Sequence, residues 1–246
     1  MTLPVHLVPS LTGVVAGATV QVEGDEAHHA VAVRRTRVGE QVVLTDGSGT
    51  AVRGEVAATG KRTMDVVAQE VSTTPAPRPE VVVVQALPKG DRGELAVEVL
   101  TEVGVARIVP WAAARSVAVW RGERATKSLA RWRSTAREAA KQARRAHHPE
   151  VTALASTADV VALVARADLA LVLHEDATSP LAAWEPPTSG TVLVVVGPEG
   201  GLDEAEVAAY VEAGAHAVRL GEEVLRTSTA GVVAVAALLA RTPRWA

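Results

Sequence analysis

Three runs in the second two-thirds of the chain are apolar almost without a break: VVVVQAL from Val81, LALVL from Leu169 and TVLVVV from Thr191. A strand with one wet face alternates apolar and polar residues, so a continuous β-branched run needs cover on both faces. Such strands belong in a mostly parallel sheet with helices packed on each side. The intervening segments agree. Helical spacing appears at about 90–104, in the basic stretch SLARWRSTAREAAKQARRAHHP, near 158–166, from about Asp203, and from about Thr229 to Arg241. RIVPW and HAVRL are shorter strands. Residues 80–246 therefore read as an α/β domain.

The N-terminal part is written differently. VQVEG, QVVLTDGSG, AVRGEVAA and TMDVVAQEV are short β segments, and Asp46-Gly47-Ser48-Gly49 is a turn sequence. Strands at this spacing predict a small barrel or sandwich over residues 1–72. Glu26 to Val38 interrupts it as a short helix that carries Arg34, Arg35 and Arg37. The proline-rich stretch STTPAPRPE contains the expected linker, residues 73–79.

Composition excludes several classes. Five Trp, one Tyr and no Phe leave the core to Val, Ala and Leu, which counts against single-strand binders that stack bases on Phe and Tyr platforms. The absence of Cys removes disulfides, Cys zinc sites and cysteine nucleophiles. The N-terminus does not read as a signal peptide, and the apolar stretch from Gly231 to Ala240 is far short of the roughly 20 residues of a membrane span. A soluble, cytoplasmic protein is expected.

The net charge of −3 hides a polarity. Residues 107–148 hold eleven Lys and Arg against Glu123 and Glu138, while the segments on either side are acidic. Leu129, Trp132, Ala136, Ala140 and Ala143 form an apolar stripe, and Arg133, Arg137, Lys141 and Arg144 share a neighbouring helical face. Only Glu138 lies inside the helix to neutralise them, so a phosphate backbone is the expected partner. A solvated face is the plain alternative.

Two loops are candidates for binding chemistry. Gly197-Pro198-Glu199-Gly200-Gly201-Leu202-Asp203 follows the strand TVLVVV, where ligands bind in open α/β sheets. Asp203 and Glu206 make a capping box. The loop is neither a G-x-G-x-x-G nor a Walker sequence, so classical dinucleotide and P-loop chemistry lose support. In LGEEVLRTSTA, from Leu220 to Ala230, Arg226 stands between a strand exit and a helix entry, and Thr227, Ser228 and Thr229 offer capping hydroxyls. Lys89 to Arg92 form a third charged loop at a strand end. The pairs His28-His29 and His147-His148 lack carboxylates at ligand spacing, and no metal is expected.

Three segments together carry a family resemblance: QALPKG with the later TEVGVARIVPW, RWRSTAREAAKQARRAHHPEV, and VVVGPEGGL with LGEEVLRTSTA. In this order and spacing, behind a small β domain, the chain resembles the RsmE-type 16S ribosomal RNA uridine-N3 methyltransferases of the SPOUT superfamily. The resemblance implies a PUA-like small β-barrel that helps grip RNA, then a SPOUT α/β domain with a C-terminal trefoil knot. It also implies a homodimer acting on 16S ribosomal RNA or the small ribosomal subunit, with S-adenosyl-L-methionine as cofactor.

By position, the cofactor residues would be Leu173, His174 and Glu175; Gly197, Pro198, Glu199, Gly200 and Gly201; and Leu220, Gly221, Val224, Leu225, Thr227, Thr229 and Ala230. The catalytic candidates are Arg226, to stabilise a uracil anion, and Glu199, as base or acceptor. RNA would be held by Arg34, Arg35, Arg37, Lys89, Arg92, Arg133, Arg137, Lys141 and Arg144. Two positions depart from the family pattern: Ser228 stands where a Glu is usual, and Val99 where a Lys is. The alternatives are a SPOUT enzyme with another target, such as a ribose 2′-oxygen of transfer or 23S ribosomal RNA, and a non-catalytic ribosome-assembly factor.

Overall fold

The computed structural model describes residues 3–245. Its packing divides the chain into two units, residues up to 76 with 141–148, and residues 77–140 with 149 onward. The expected boundary fell at 73–79, with nothing from 141–148 assigned to the first part.

The first unit is a five-stranded sheet of β1 (Val5–Leu7), β2 (Thr19–Glu23), β3 (Gln41–Thr45), β4 (Thr50–Thr59) and β5 (Thr63–Thr73), in the order β1-β3-β4-β5-β2. All pairs are antiparallel except β1 with β3. Two register shifts in the long β4–β5 ladder bend the sheet around its core. Val22, Val42, Leu44, Val52, Val56, Met64 and Val66 fill that core, closed by Ala27 and Ala30. Those alanines come from the predicted helical interruption, here α1 (Gly24–His28) continued by a π-helical turn, His29–Val33. His147 and His148 pack on the turn at 46–49. The His148 amide donates to the Gly47 carbonyl at 2.8 Å, and Gly49 donates to Ala146 at 2.9 Å.

The second unit is a six-stranded, all-parallel sheet: β6 (Glu80–Ala86), β7 (Arg107–Trp111), β8 (Glu150–Val151), β9 (Leu169–Leu173), β10 (Thr191–Val196) and β11 (His216–Val218). The order is β11-β9-β10-β6-β7-β8. Its helices are α2 (Arg92–Glu102), α3 (Gly122–Gln142, whose last residues cluster with the first unit), α4 (Thr157–Val164), α5 (Glu204–Glu212) and α6 (Thr227–Leu239). The valine runs feed two separate cores. Val81 and Val83 point to one with Leu100, Val194 and Leu238, while Val82 and Val84 point to the other with Trp111, Val195 and Tyr210. Both faces are covered, as a continuous apolar strand requires.

From β6 the chain moves outward through β7 and β8, then crosses back to build β9, β10 and β11 on the other side. The crevice at the carboxyl ends of β6 and β10 is thus a topological switch point, the usual ligand position in an open sheet.

Two local expectations fail. Helix α6 starts at Thr227, its N-cap is the extended residue Arg226, and no side chain caps it. The Thr-Ser-Thr hydroxyls are therefore not caps; Thr229 Oγ1 donates to the Arg226 carbonyl at 3.3 Å. Arg144 does not continue the face of Arg133 and Arg137, because α3 ends at Gln142 and Arg144 has φ 54°.

Candidate active site

A cavity of about 680 Å³ opens at this switch point, within the size range of small-molecule sites. Three loops wall it. The first, after β9, contributes Leu173, His174, Glu175 and Asp176, its turn closed by the Asp176 amide donating to His174 Nδ1 at 3.1 Å. The second, after β10, runs from Gly197 to Leu202 and ends on the α5 capping box, in which Asp203 Oδ1 accepts from the Ala205 amide at 3.0 Å. The third, after β11, runs from Arg219 to Arg226 and enters α6 through Thr227 and Ala230.

Glycine is required in the second loop for two reasons. A Cβ on Gly200 would stand 2.9 Å from the Arg115 carbonyl oxygen, and Gly201 has φ 74°. The loop backbone can therefore lie against a ligand with nothing between them.

Of the residues expected to hold a cofactor, the cavity lining brings together all but Thr229. Arg226 lines it too. Its backbone is extended ahead of the helix, and no carboxylate among the described residues pairs with its guanidinium. Glu199 is exposed, and one of its oxygens accepts from the Lys89 amide at 3.1 Å, tying the β10 loop to the loop after β6. Lys89 contributes that amide, whereas Arg92 lines the cavity wall.

The floor is tied by a buried amide. Gln85, 1% exposed at the end of β6, donates from Nε2 to the Thr227 carbonyl at 3.2 Å and so fixes the first turn of α6. Ser228, at the position where the family pattern has a Glu, is 2% exposed, points away from the cavity, and its hydroxyl has no partner among the described residues. The missing carboxylate would therefore have been an interior group. Val99 lies on α2, outside the cavity.

The cavity chemistry is mixed. Leu173, Val196, Val218, Leu220 and Leu225 give an apolar wall for a flat ring; Glu175, Asp176, Glu222 and Glu223 face it with acceptors for hydroxyls or a cation. The uncapped start of α6 presents backbone amides suited to a carboxylate. Sequence reasoning missed Arg115 and Arg219 in this wall. Arg115 follows the strand RIVPW, so the rule that singled out Lys89 to Arg92 applied equally to it.

The predicted RNA-binding residues are scattered. Arg34, Arg35 and Arg37 are exposed in the first unit, Arg35 with φ 58°. Arg133 donates to the Val151 carbonyl at 3.0 Å, and Arg137 lies 3.6 Å from Glu138. Lys141 is only 11% exposed and sits 2.9 Å from Glu26. Its charge is neutralised inside the first unit, so it does not join a free cationic row.

Comparison with known proteins agrees with this architecture. Residues 74–239 match the model of the RNA methyltransferase domain, and residues 22–69 match that of the RNA methyltransferase PUA domain. The chain is 47% identical over 233 residues to ribosomal RNA small subunit methyltransferase E of Mycobacterium bovis, covering 93% of this chain and 89% of that one. It is 31% identical to the Bacillus subtilis protein of the same name, covering 91% of each. A crystal structure of ribosomal RNA small subunit methyltransferase E from Neisseria gonorrhoeae, bound to S-adenosyl methionine, superposes with a TM-score of 0.84 at 28% identity, over 96% of this chain and 97% of that one. A PUA domain followed by a SPOUT-like α/β domain, with identity at this level along nearly the whole length, makes the chain a member of the RNA methyltransferase family that contains the ribosomal RNA small subunit methyltransferases E.

Proposed function

We propose that this protein is an S-adenosylmethionine-dependent methyltransferase of 16S ribosomal RNA that methylates N3 of a uridine, on the assembled small subunit and as a homodimer. The observation that carries the reading is the cavity at the switch point. Three loops, two of them bearing carboxylates beside the turn at 197–201, converge there on an arginine that has no carboxylate partner among the described residues. Among the described residues no helix is long and apolar enough to cross a membrane.

The cavity fits the cofactor by its donors and acceptors. Leu173, Val196, Val218 and Leu225 would cover the adenine, the carboxylates at 175–176 and 222–223 would meet the ribose hydroxyls and the ammonium, and the start of α6 would meet the carboxylate. When bound, S-adenosylmethionine supplies an electrophilic methyl group on a sulfonium.

The protein's contribution is position and charge. Uracil N3 carries a proton at neutral pH and becomes nucleophilic as that proton leaves. The Arg226 guanidinium, beside O2 or O4, stabilises the developing anion, and its effect is large because no carboxylate among the described residues neutralises it. The Gln85 amide holds the backbone on which Arg226 stands. Glu199 offers its second oxygen as acceptor toward the base while the first stays on the Lys89 amide. The target base must leave its stack to enter, and alignment of N3 with the methyl group supplies much of the rate. The trefoil knot belongs to this reading, supported by the adjacency of β9 and β10 and by the convergence of the loops that follow them with α6.

The test is calorimetry with S-adenosylmethionine, then incubation with small subunits that lack the methyl group and mass spectrometry of the nucleosides. Binding with 3-methyluridine is expected. Binding with a ribose-methylated product would move the target to a 2′-oxygen, and absence of binding would leave a non-catalytic RNA-binding factor.

A further inference from the structure

The cavity wall holds one cation whose setting sets it apart. Arg115 lies in the loop after β7, and Arg92 at the start of α2 after β6. The loops read above as the cofactor's follow β9, β10 and β11, on the other half of the sheet. These two arginines therefore line the cavity from the half of the sheet that carries none of those loops.

The Arg115 loop is held by a buried carboxylate. Glu206, 5% exposed on α5, accepts from the Ala114 amide at 2.9 Å and from the Thr157 hydroxyl at 3.0 Å. That hydroxyl in turn accepts from Nε1 of fully buried Trp111 at 3.3 Å. The Ala112 amide donates to the Ala155 carbonyl at 3.0 Å, and Gly200 lies so near the Arg115 carbonyl that a Cβ there would stand 2.9 Å from its oxygen. Burying a carboxylate without a cation is costly, and here its acceptors fix the backbone one residue before Arg115. The guanidinium itself stays free to act. Its side chain is 49% exposed and its one ion pair among the described residues, with Asp203, is long at 3.5 Å. Such an exposed pair is weak and yields to a stronger anion.

We propose that Arg115, positioned by Glu206, binds a backbone phosphate of the RNA strand next to the base that enters the cavity, alongside Arg92. The assignment rests on the methyl-transfer reading for its substrate, and a phosphate suits the fork of an exposed arginine at a cavity mouth.

The experiment compares wild type, Arg115→Ala, Arg115→Lys and Glu206→Gln. Polyuridylate affinity is measured over a range of salt, S-adenosylmethionine affinity by calorimetry, and kcat and KM on small subunits lacking the methyl group. For Arg115→Ala the salt slope should fall by about one and the RNA KM rise about tenfold, while kcat and cofactor affinity hold within about twofold. Arg115→Lys should keep the slope, because the charge remains. Glu206→Gln should raise the RNA KM in wild type but not further in the Arg115→Ala background, the signature of one residue acting through another; an additive rise in KM would overturn the positioning role. An unchanged slope and KM in Arg115→Ala would overturn the phosphate contact. Loss of cofactor affinity with intact polyuridylate binding would overturn it too, placing Arg115 with the cofactor. A wild-type protein that transfers no methyl group, with the slope still reduced in Arg115→Ala, would sink the methyl-transfer reading and leave the phosphate contact standing.

Discussion

Replacing Glu26 by Gln tests the least expected feature of the first unit. The carboxylate lies 2.9 Å from Lys141 Nζ, 3.4 Å from Nδ1 of buried His6 and 3.3 Å from the Leu7 amide. Burial alone would raise its pKa; the nearby His6 imidazole, with the hydrogen bonds and charge of Lys141, outweighs burial and brings it from 4.5 to about 2. That difference corresponds to about 3 kcal/mol at roughly 1.4 kcal/mol for each tenfold change in proton affinity. The pair is not sealed, with side chains 19% and 11% exposed. Screening by water therefore reduces the expected loss in Glu26→Gln to about 2 kcal/mol.

The sign follows from the direction of the shift. A carboxylate acidified by folding stabilises fully above its unfolded value of 4.5, and the contribution is lost as pH falls toward about 2. All five Trp belong to the second unit, so the assay is amide exchange of β3, β4 and β5 followed by mass spectrometry and corrected for intrinsic rates. The gap between wild type and Glu26→Gln should be steady from pH 7 to about 5 and close on approach to pH 2. Replacing both partners, Glu26→Leu with Lys141→Met, should recover only part of the loss, because the cation is no longer stranded while the Leu7 amide loses its acceptor. A gap independent of pH, or one below about 0.5 kcal/mol at pH 7, would refute the reasoning.

Four further outcomes are expected. Arg226→Ala should lower kcat about a hundredfold or more while cofactor affinity stays within a few-fold, read by single-turnover kinetics and calorimetry; surviving turnover would remove the charge-stabilising role. Gly200→Ala should weaken cofactor binding, because its Cβ would meet the Arg115 carbonyl at 2.9 Å and the loop must shift; unchanged calorimetry would show that the loop yields freely. Arg144→Gly should stabilise the fold by up to about 1 kcal/mol by relieving φ 54°, while polyuridylate affinity falls if the side chain meets phosphate. Arg244→Met should cost about 1–3 kcal/mol in thermal unfolding. Its guanidinium, whose pKa burial lowers, donates to the Pro79 carbonyl at 3.1 Å and the Gly104 carbonyl at 2.9 Å.

Local chemistry made some of this fold legible. Four consecutive valines announced a strand covered on both faces, and Val81 to Val84 do alternate between the two cores. Asp203 and Glu206 marked the start of α5 and form the capping box. The start of α6 was misread because Ser and Thr are favoured caps, yet here Arg226 holds that place with φ −68° and ψ 146° and no side-chain cap. Glu206 shows the limit of local reading more sharply. Its capping role lies three residues away, but its bond to the Ala114 amide spans 92 residues. Lys141 joins a carboxylate 115 residues distant. Periodicity and spacing report only on neighbours along the chain, so cations held by long-range partners look identical to free ones.

That distinction changes what the basic segment means. Its excess of positive charge is a balance over residues 107–148 alone, and acids elsewhere in the chain answer much of it. Arg107 meets Glu80 at 3.3 Å and Glu150 at 3.1 Å, Arg131 meets Glu94 at 3.1 Å, and Lys141 meets Glu26. Among the described residues Arg121, Arg124 and Arg144 make no ion pair. Exposed pairs such as Arg131 with Glu94 are weak enough for a phosphate to displace, whereas the Lys141 pair is not, because separating it would strand a half-buried carboxylate. A polyanion should therefore depend on Arg121, Arg124 and Arg144 first, on the exposed pairs second, and on Lys141 hardly at all. The same ordering applies at the cavity mouth, where the long Arg115–Asp203 pair is the one built to open.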